Sequence, residues 1–593
     1  MSIRRIRIIR TLLVILGMTL IDVPAALAAP SPTQEPLDVS YERYNGKTIR
    51  NINITVRDIF DDPGINAIYR TLNSLKVNTD EEVIRRELLL HEGEPFDDFR
   101  LKESIRSLRT LGFLRQVTIT PKPDGDMVDL DVSVQDTWTL IPQVSFSSGT
   151  GNNRRAAGIS ESNLLGRGKR TEFAVEENDN RRSLQGVYED ERVMGTQMKL
   201  LAAHLERTDG QRTVAYFGRP YRSLIEKQSW NVSSDTFNLL GRLFQNGEAR
   251  YVFRQRHTDA GGQFSLAHGE PKDSVGRYTL GFRYIEDRFS QATLKDYEEL
   301  DINPDSVSHD PNLLAANRRF VGPTLGYTQI EPNYMSMNYI DRFDRVEDYN
   351  LGNEFSVNSM FAFNAMGSIE DTLLLNANNS MGYRFNAASF TRGEIGGATR
   401  LDSHGLANSL IRTQGQYYNV LGMLSAGGLN LGRHTLATGL RIDYGDKLDK
   451  DREFLLGADT GLRGYAARTF TGDKRLILNL EDRVHIADDV FRLVSVGCAF
   501  FIDAGGTTNS GIENTLGQDL YGDIGAGLRL AFPRSTGSRV LRVDIAFPMR
   551  SDPDGADAWS PRILFSGGQV FDSHLLSETE GPEKANVAVG FDQ

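Results

Sequence analysis

A chain of 593 residues that is 39% hydrophobic, with a mean hydropathy of −0.37, excludes a bundle of membrane-spanning helices: each span needs about 20 apolar residues in a row, and the apolar run of note lies at the extreme N-terminus. The net charge of −12 argues against a phosphate-coated partner, so nucleic acid is set aside. A single cysteine, Cys498, excludes an intrachain disulfide and a zinc-type cysteine cluster, while 56 glycines, 30 Phe and 20 Tyr suit a protein of strands and turns.

Arg4, Arg5, Arg7 and Arg10 precede the apolar run Leu12 to Ile21, and Ala26-Leu27-Ala28 offers small residues for cleavage. This is the pattern of a signal peptide over residues 1–28, because Asp22 and Pro24 cut the apolar run to about ten residues, short of a span. Residues 29–46 read as a linker.

Residues 47–136 read as a compact α+β domain of order strand, helix, helix, strand, strand. Ile52, Ile54 and Val56 alternate with polar residues, and Thr79-Asp80-Glu81-Glu82 is a capping box opening a helix through Leu90. A second helix carries Leu101, Ile105 and Leu108 on one face and is closed by Gly112. Two strands then follow, 114–120 and 127–134, joined by a turn at Pro123-Asp124-Gly125, and one face of the sheet must pack on the helices.

From 137 to 572 short alternating segments repeat, separated by Gly, Asn and Asp. Leu541, Val543, Ile545 and Phe547 share one face and Arg542, Asp544 and Ala546 the other; Leu436, Leu440 and Ile442 stand likewise against Arg441 and Asp443. Exported strands without spanning helices must close, since hydrocarbon leaves no main-chain group unpaired, and the length supplies about 16 antiparallel strands of a transmembrane barrel. The polar stretches Glu286 to Arg318 and Thr391 to Gly415 read as extracellular loops, and the acidic run Asp296 to Asp301 as a solvated face. Residues 573–593 form a polar tail.

The first domain, with Leu111-Gly112-Phe113 before its third strand, resembles a POTRA domain. Asn163-Leu164-Leu165-Gly166-Arg167-Gly168-Lys169, Gly461-Leu462-Arg463-Gly464-Tyr465 and Phe501-Ile502-Asp503-Ala504-Gly505 resemble, in order, three landmarks of the BamA-like surface-antigen superfamily. The resemblance implies a bacterial outer-membrane protein with its POTRA domain in the periplasm, and an extracellular loop folded into the lumen with Arg463 at its tip. It implies acidic wall partners for Arg463; alternation turns Asp503 inward with Phe501 and Ala499, and Glu481 with Asn479 and Arg483, so Asp503 is the expected main partner and Glu481 the second. Phe571 resembles the terminal aromatic signal of outer-membrane strands, although this chain continues beyond it.

The function implied is insertion or translocation of polypeptides, the strand of Ile52, Ile54 and Val56 being the candidate edge for client pairing. Expected partners are outer-membrane lipids, unfolded or nascent outer-membrane or secreted polypeptides, and periplasmic accessory proteins. A passive channel or surface-structural barrel is the rival reading, and a two-partner secretion transporter the third. Gly-x-Ser-x-Gly, His-Glu-x-x-His and phosphate-loop motifs are missing from the sequence and nine histidines show no ligand spacing. The chain therefore reads as a non-enzyme without metal or cofactor.

Overall fold

The computed structural model describes residues 39–61, 67–147, 154–178, 181–458, 460–536, 540–553 and 557–566. The signal segment 1–28, Phe571 and the tail 573–593 lie outside the described residues.

The N-terminal domain is a three-stranded sheet under three helical segments: β1 (Thr48–Arg57), α1 (Ala67–Ser74), α2 (Glu81–Arg85), α3 (Asp98–Thr110), β2 (Leu114–Asp124) and β3 (Met127–Asp136). Sheet order is β1-β3-β2, with β1 parallel and β2 antiparallel to β3. The central strand is the most apolar: Val128, Leu130, Val132 and Val134 are all buried and pack with Ile49, Ile84, Leu101 and Leu108.

The second helical segment is shorter than the expected helix through Leu90, and its cap is Asp80. Thr79 is taken up elsewhere: its amide and hydroxyl both donate to Asp136, which also pairs with Lys76. The α3 helix starts where the Asp97 carboxylate accepts from the amides of Phe99 and Arg100.

Twenty strands form a closed barrel, from Leu140–Ser147 to Arg562–Ser566. This exceeds the expected sixteen. The segment Thr391 to Gly415 accounts for part of the difference: it is not a loop but most of two paired strands, Ser389–Asp402 and Gly405–Ala426. Its polar residues face the lumen, as where Glu394 accepts from Asn378 and Gln414, while Ile395 and Ile411 face outward. The stretch after Gln291 is a loop as expected, and its acidic run is solvated in part: Glu298 and Asp301 are exposed, whereas Asp296 closes a capping box with Thr293, pairs with Arg254 and is buried beside Tyr297.

Outward positions carry exposed apolar residues such as Phe264, Leu280, Phe282, Phe500 and Ile502. Inward positions on the same strands include charged residues such as Asp259, Arg283 and Asp503. Two solvents therefore pattern each strand, hydrocarbon outside and water or fixed charge inside.

The N-terminal domain sits directly against one end of the barrel. Asn163 Nδ2 donates to Thr79 Oγ1 (2.7 Å) and Asp80 N to Gly166 O (2.9 Å). Gly166 has φ +73° and a Cβ there would lie 2.2 Å from Asn78 O, so the motif's glycine is required by this docking. Further links reach the connections 191–198 (Arg192 to Glu87, 2.7 Å), 220–227 (Leu224 N to Glu103, 3.1 Å), 271–273 (Lys272 to Asp97, 3.0 Å) and 491–493 (Tyr69 to Phe491 O, 2.9 Å). The junction segment itself pairs with the penultimate connection: Trp138 N donates to Arg534 O, Thr536 N to Trp138 O, and Arg534 to Ile59 O.

The Glu87–Arg192 link gives the docking a pH dependence. Burial pushes the Glu87 carboxyl up, but the hydrogen bond and charge of Arg192 outweigh it and hold the pKa below its ordinary 4.5. A depressed carboxyl contributes fully above its free pKa and is lost as pH falls through the docked-state value. Protection of the 191–198 amides, taken as exchange relative to the intrinsic rate at each pH, should stay flat from neutral pH down to the ordinary Glu range and fall below it, and Glu87→Gln should remove that step.

Candidate functional site

Between the strands Leu429–Asp446 and Lys474–Val490, residues 447–473 enter the barrel from the end opposite the N-terminal domain. At the rim Asp449 and Asp451 pair with Arg318, and Asp449 also with Arg400. A short hairpin, Phe454–Leu456 against Phe470–Gly472, carries the segment inward. Below it a tight turn forms, in which Gly457 O accepts from the amides of Thr460, Gly461 and Leu462.

Arg463 is the tip. Its Nε and Nη2 donate to the two oxygens of Asp503 (2.7 and 2.8 Å), and Nη1 donates to Glu481 (2.6 Å). The guanidinium lies 3.4 Å from the centroid of the Phe501 ring. Asn479 completes the seat by donating to both Gly461 O and Asp503. The structure thus brings together Arg463, Asp503 and Glu481 from one loop and two adjacent strands.

The flanking motif residues fix the tip from its other side. Leu462 and Tyr465 are fully buried with Leu456, Phe470 and Ile477, and the single proton of the Tyr465 hydroxyl is shared between Gly522 O (3.0 Å) and Arg550 O (3.2 Å). Gly461 has φ +130°, and at Gly464 a Cβ would stand 2.5 Å from the Asp523 side chain and 3.0 Å from Pro548 N. Leu462 and Tyr465 are apolar or amphipathic anchors, whereas Arg463 is the charged one.

The network extends inside the wall. Glu481 also accepts from Arg483 Nε (2.9 Å), and Arg529 pairs with Asp544. One further grouping with ligand-type atoms occurs among the described residues, Glu370, Asp402 and His404 at the rim, but His404 is exposed there.

Ile52, Ile54 and Val56 stand apart from this cluster, on β1. Ile52 is buried and the other two pack on the domain core, so these side chains face inward while the strand's main chain forms the sheet edge. Part of that edge is covered: Gly93 N donates to Ile49 O, Ile49 N to Glu94 O, and Ile52 N to Glu92. Among the described residues no main-chain bond crosses the outer edge from Asn53 to Arg57.

Sequence reading missed residues 331–353, which connect Arg318–Ile330 to Glu354–Ala362 at the domain-facing end and fold back into the lumen. The signal was there as length, but only the strand count shows on which side of the barrel this long connection falls.

A family model of the POTRA domain, described as surface antigen variable number repeat, matches residues 72–136, and that of the Omp85 superfamily domain matches residues 397–571. The two matches place a POTRA domain and an Omp85 superfamily domain in this chain, as in a BamA-like member of that superfamily. The chain is a bacterial outer-membrane protein with its POTRA domain in the periplasm, so the 447–473 loop is extracellular. Over 110 residues, 18% of the chain, it is 34% identical to the outer membrane protein assembly factor BamA of Neisseria meningitidis serogroup B, a match spanning 13% of that protein. Among solved structures, BamA from Haemophilus ducreyi lacking POTRA domains 1–3 is 14% identical with a TM-score of 0.37, covering 88% of this chain and 84% of the other. CdiB from Acinetobacter baumannii is 12% identical with a TM-score of 0.43, covering 95% and 98%.

Arg463→Ala leaves two inward carboxylates without their shared cation, a loss of about 3–5 kcal/mol for a buried pair. Protease added outside intact cells should then cut within 447–473, where the parent chain resists. Arg463→Lys, which keeps charge but loses the planar fork, should be intermediate, and Gly464→Ala should resemble Arg463→Ala. Equal protection in Arg463→Ala would place the anchoring in Leu462 and Tyr465 instead.

Proposed function

We propose that this protein inserts or translocates polypeptides at the outer membrane. The observation that carries the reading is an α+β domain with an uncovered sheet edge, seated directly beneath a barrel whose lumen holds an anchored loop. An extended client adds to the Asn53–Arg57 edge through main-chain hydrogen bonds, which ask little of its sequence, and is delivered to the barrel rim a few residues away. The Omp85 superfamily domain and the likeness to an assembly factor support this reading.

In this reading Arg463, Asp503 and Glu481 position the loop; they touch no client and perform no chemistry. The energy comes from client folding, and no nucleotide or metal takes part. The passive channel is the second reading, favoured by width: a ring of twenty strands exceeds the 16–18 that leave an aqueous channel in porins.

Photo-crosslinkers at Asn53 and Thr55 on β1, at Thr118 on β2 and at Leu564 on the last strand discriminate the two. Nascent barrel or secreted proteins trapped at both POTRA and barrel positions in living cells are the expected result. Labelling without any polypeptide client at either place favours the channel.

A further inference from the structure

The lumen is occupied from the periplasmic side by residues 331–353. Other connections at that end are short, 271–273 and 427–428 among them, as is usual for such barrels. This one forms a two-stranded hairpin, Tyr334–Met337 against Glu347–Asn350, whose base is tied by Leu351 N to Asn333 O and Glu331 N to Asn353 O.

One side of the hairpin grips the inner wall. Met335, Met337, Ile340 and Leu351 are buried against Phe390, Tyr418 and Ala437, which lie opposite one another on three successive strands. The next residue in that row is Glu481, the partner of Arg463. Arg483 then joins the two intrusions: it donates to Glu481 and, through Nη1, to Ile340 O (2.7 Å) and Asp341 (2.9 Å). Tyr339 reaches Asp488 (2.9 Å) and Thr435 reaches Tyr339 O (2.9 Å).

The other side grips the POTRA domain. Arg109 on α3 pairs with Asp348 (2.6 Å), Arg115 on β2 pairs with Asp344, and Arg345 donates to Gly112 O (3.0 Å). The Arg106 guanidinium covers the Tyr334 ring at 4.1 Å.

We propose that the 331–353 hairpin is a periplasmic plug, latched to the lumen wall through Arg483 and to the POTRA domain through Asp344 and Asp348, and that displacing the domain releases it and opens the pore. A ring of twenty strands is wide enough to conduct unless filled. The plug is held mainly by ion pairs and a small apolar cluster, joints that separate without unfolding either partner. Its two-sided attachment makes domain position the control. The inference holds whether polypeptides or solutes use the opening, and so is separable from the function proposed above.

The test is single-channel conductance of the full chain in planar lipid bilayers, with heat-modifiable gel migration to verify a closed barrel. Replacing 334–350 by a two-glycine turn should convert rare openings into a large steady conductance, since the tied base keeps the flanking strands in register. Arg109→Glu with Arg115→Glu, which breaks only the two POTRA ion pairs, should raise open probability roughly a hundredfold, the effect of losing two charge-assisted hydrogen bonds at about tenfold each. Restoring the pairs by Asp348→Arg with Asp344→Arg in that background should bring it back. Closed-barrel excision variants that conduct no more than the parent overturn the proposal. Should the excised chain fail to fold, unchanged open probability in the Arg109→Glu, Arg115→Glu variant overturns it equally. Clients trapped at β1 would leave the functional reading intact in either case.

Discussion

Inside hydrocarbon a peptide group without a hydrogen-bond partner costs several kcal/mol, and no water is there to help. Everything else in this structure depends on how that constraint is met. Twenty strands close on one another, so each has a neighbour on both sides, but a ring of that size encloses more space than wall side chains can fill. The enclosed volume must be polar, because alternation turns every second residue inward, and it must be occupied if the membrane is to remain a barrier. The extracellular loop and the periplasmic hairpin are two solutions to one geometrical consequence of main-chain pairing.

The joints that hold those intrusions are guanidinium groups. Arg463, Arg483, Arg318 and Arg475 each join groups from different segments: Arg475 ties Asp443 to Leu455 O, and Arg318 spans Asp287, Asp449 and Asp451. A planar fork with five donors and a permanent charge can join several acceptors at fixed angles, which an ammonium cannot. Such pairs contribute little net stability against well-packed apolar alternatives, since desolvation offsets attraction. In a lumen, however, an apolar filling would compete with lipid-facing surfaces during folding, and directional charge sets the position of a loop without adding to the exposed apolar area.

Much of this was legible in the sequence where local pattern and three-dimensional role coincide. The inward turn of Asp503 and Glu481 follows from period two alone, and Gly461 and Gly464 advertise a backbone that tolerates no Cβ. What alternation cannot show is which inward residues are strand and which are loop: Thr391 to Gly415 is polar because it faces the lumen, and a lumen-facing strand pair with a two-residue turn looks like a hydrophilic loop. The hairpin was hidden for a related reason. Met335 and Met337 alternate like any strand, and their burial, with that of Ile340 beyond them, depends on Phe390, Tyr418 and Ala437, between about fifty and a hundred residues away. The cap of the domain's second helix fell one residue later than expected, on Asp80, because Thr79, a good cap in isolation, is claimed by Asp136 across the sheet.

The docking of the first domain has a bearing on how the chain is made. Its junction, Thr137 and Trp138, is bonded to Arg534 and Thr536, between the antepenultimate and penultimate strands. Those residues are separated by nearly 400 positions and are synthesised at opposite ends of the chain. The domain can therefore fold early and take most of its seat on the connections 162–168, 191–198, 220–227 and 271–273, but its junction segment finds its own partners, Arg534 and Thr536, only when the last few strands have arrived. A barrel arrested before closure would lack those junction bonds, so they are a readout of whether the C-terminal strands are in place.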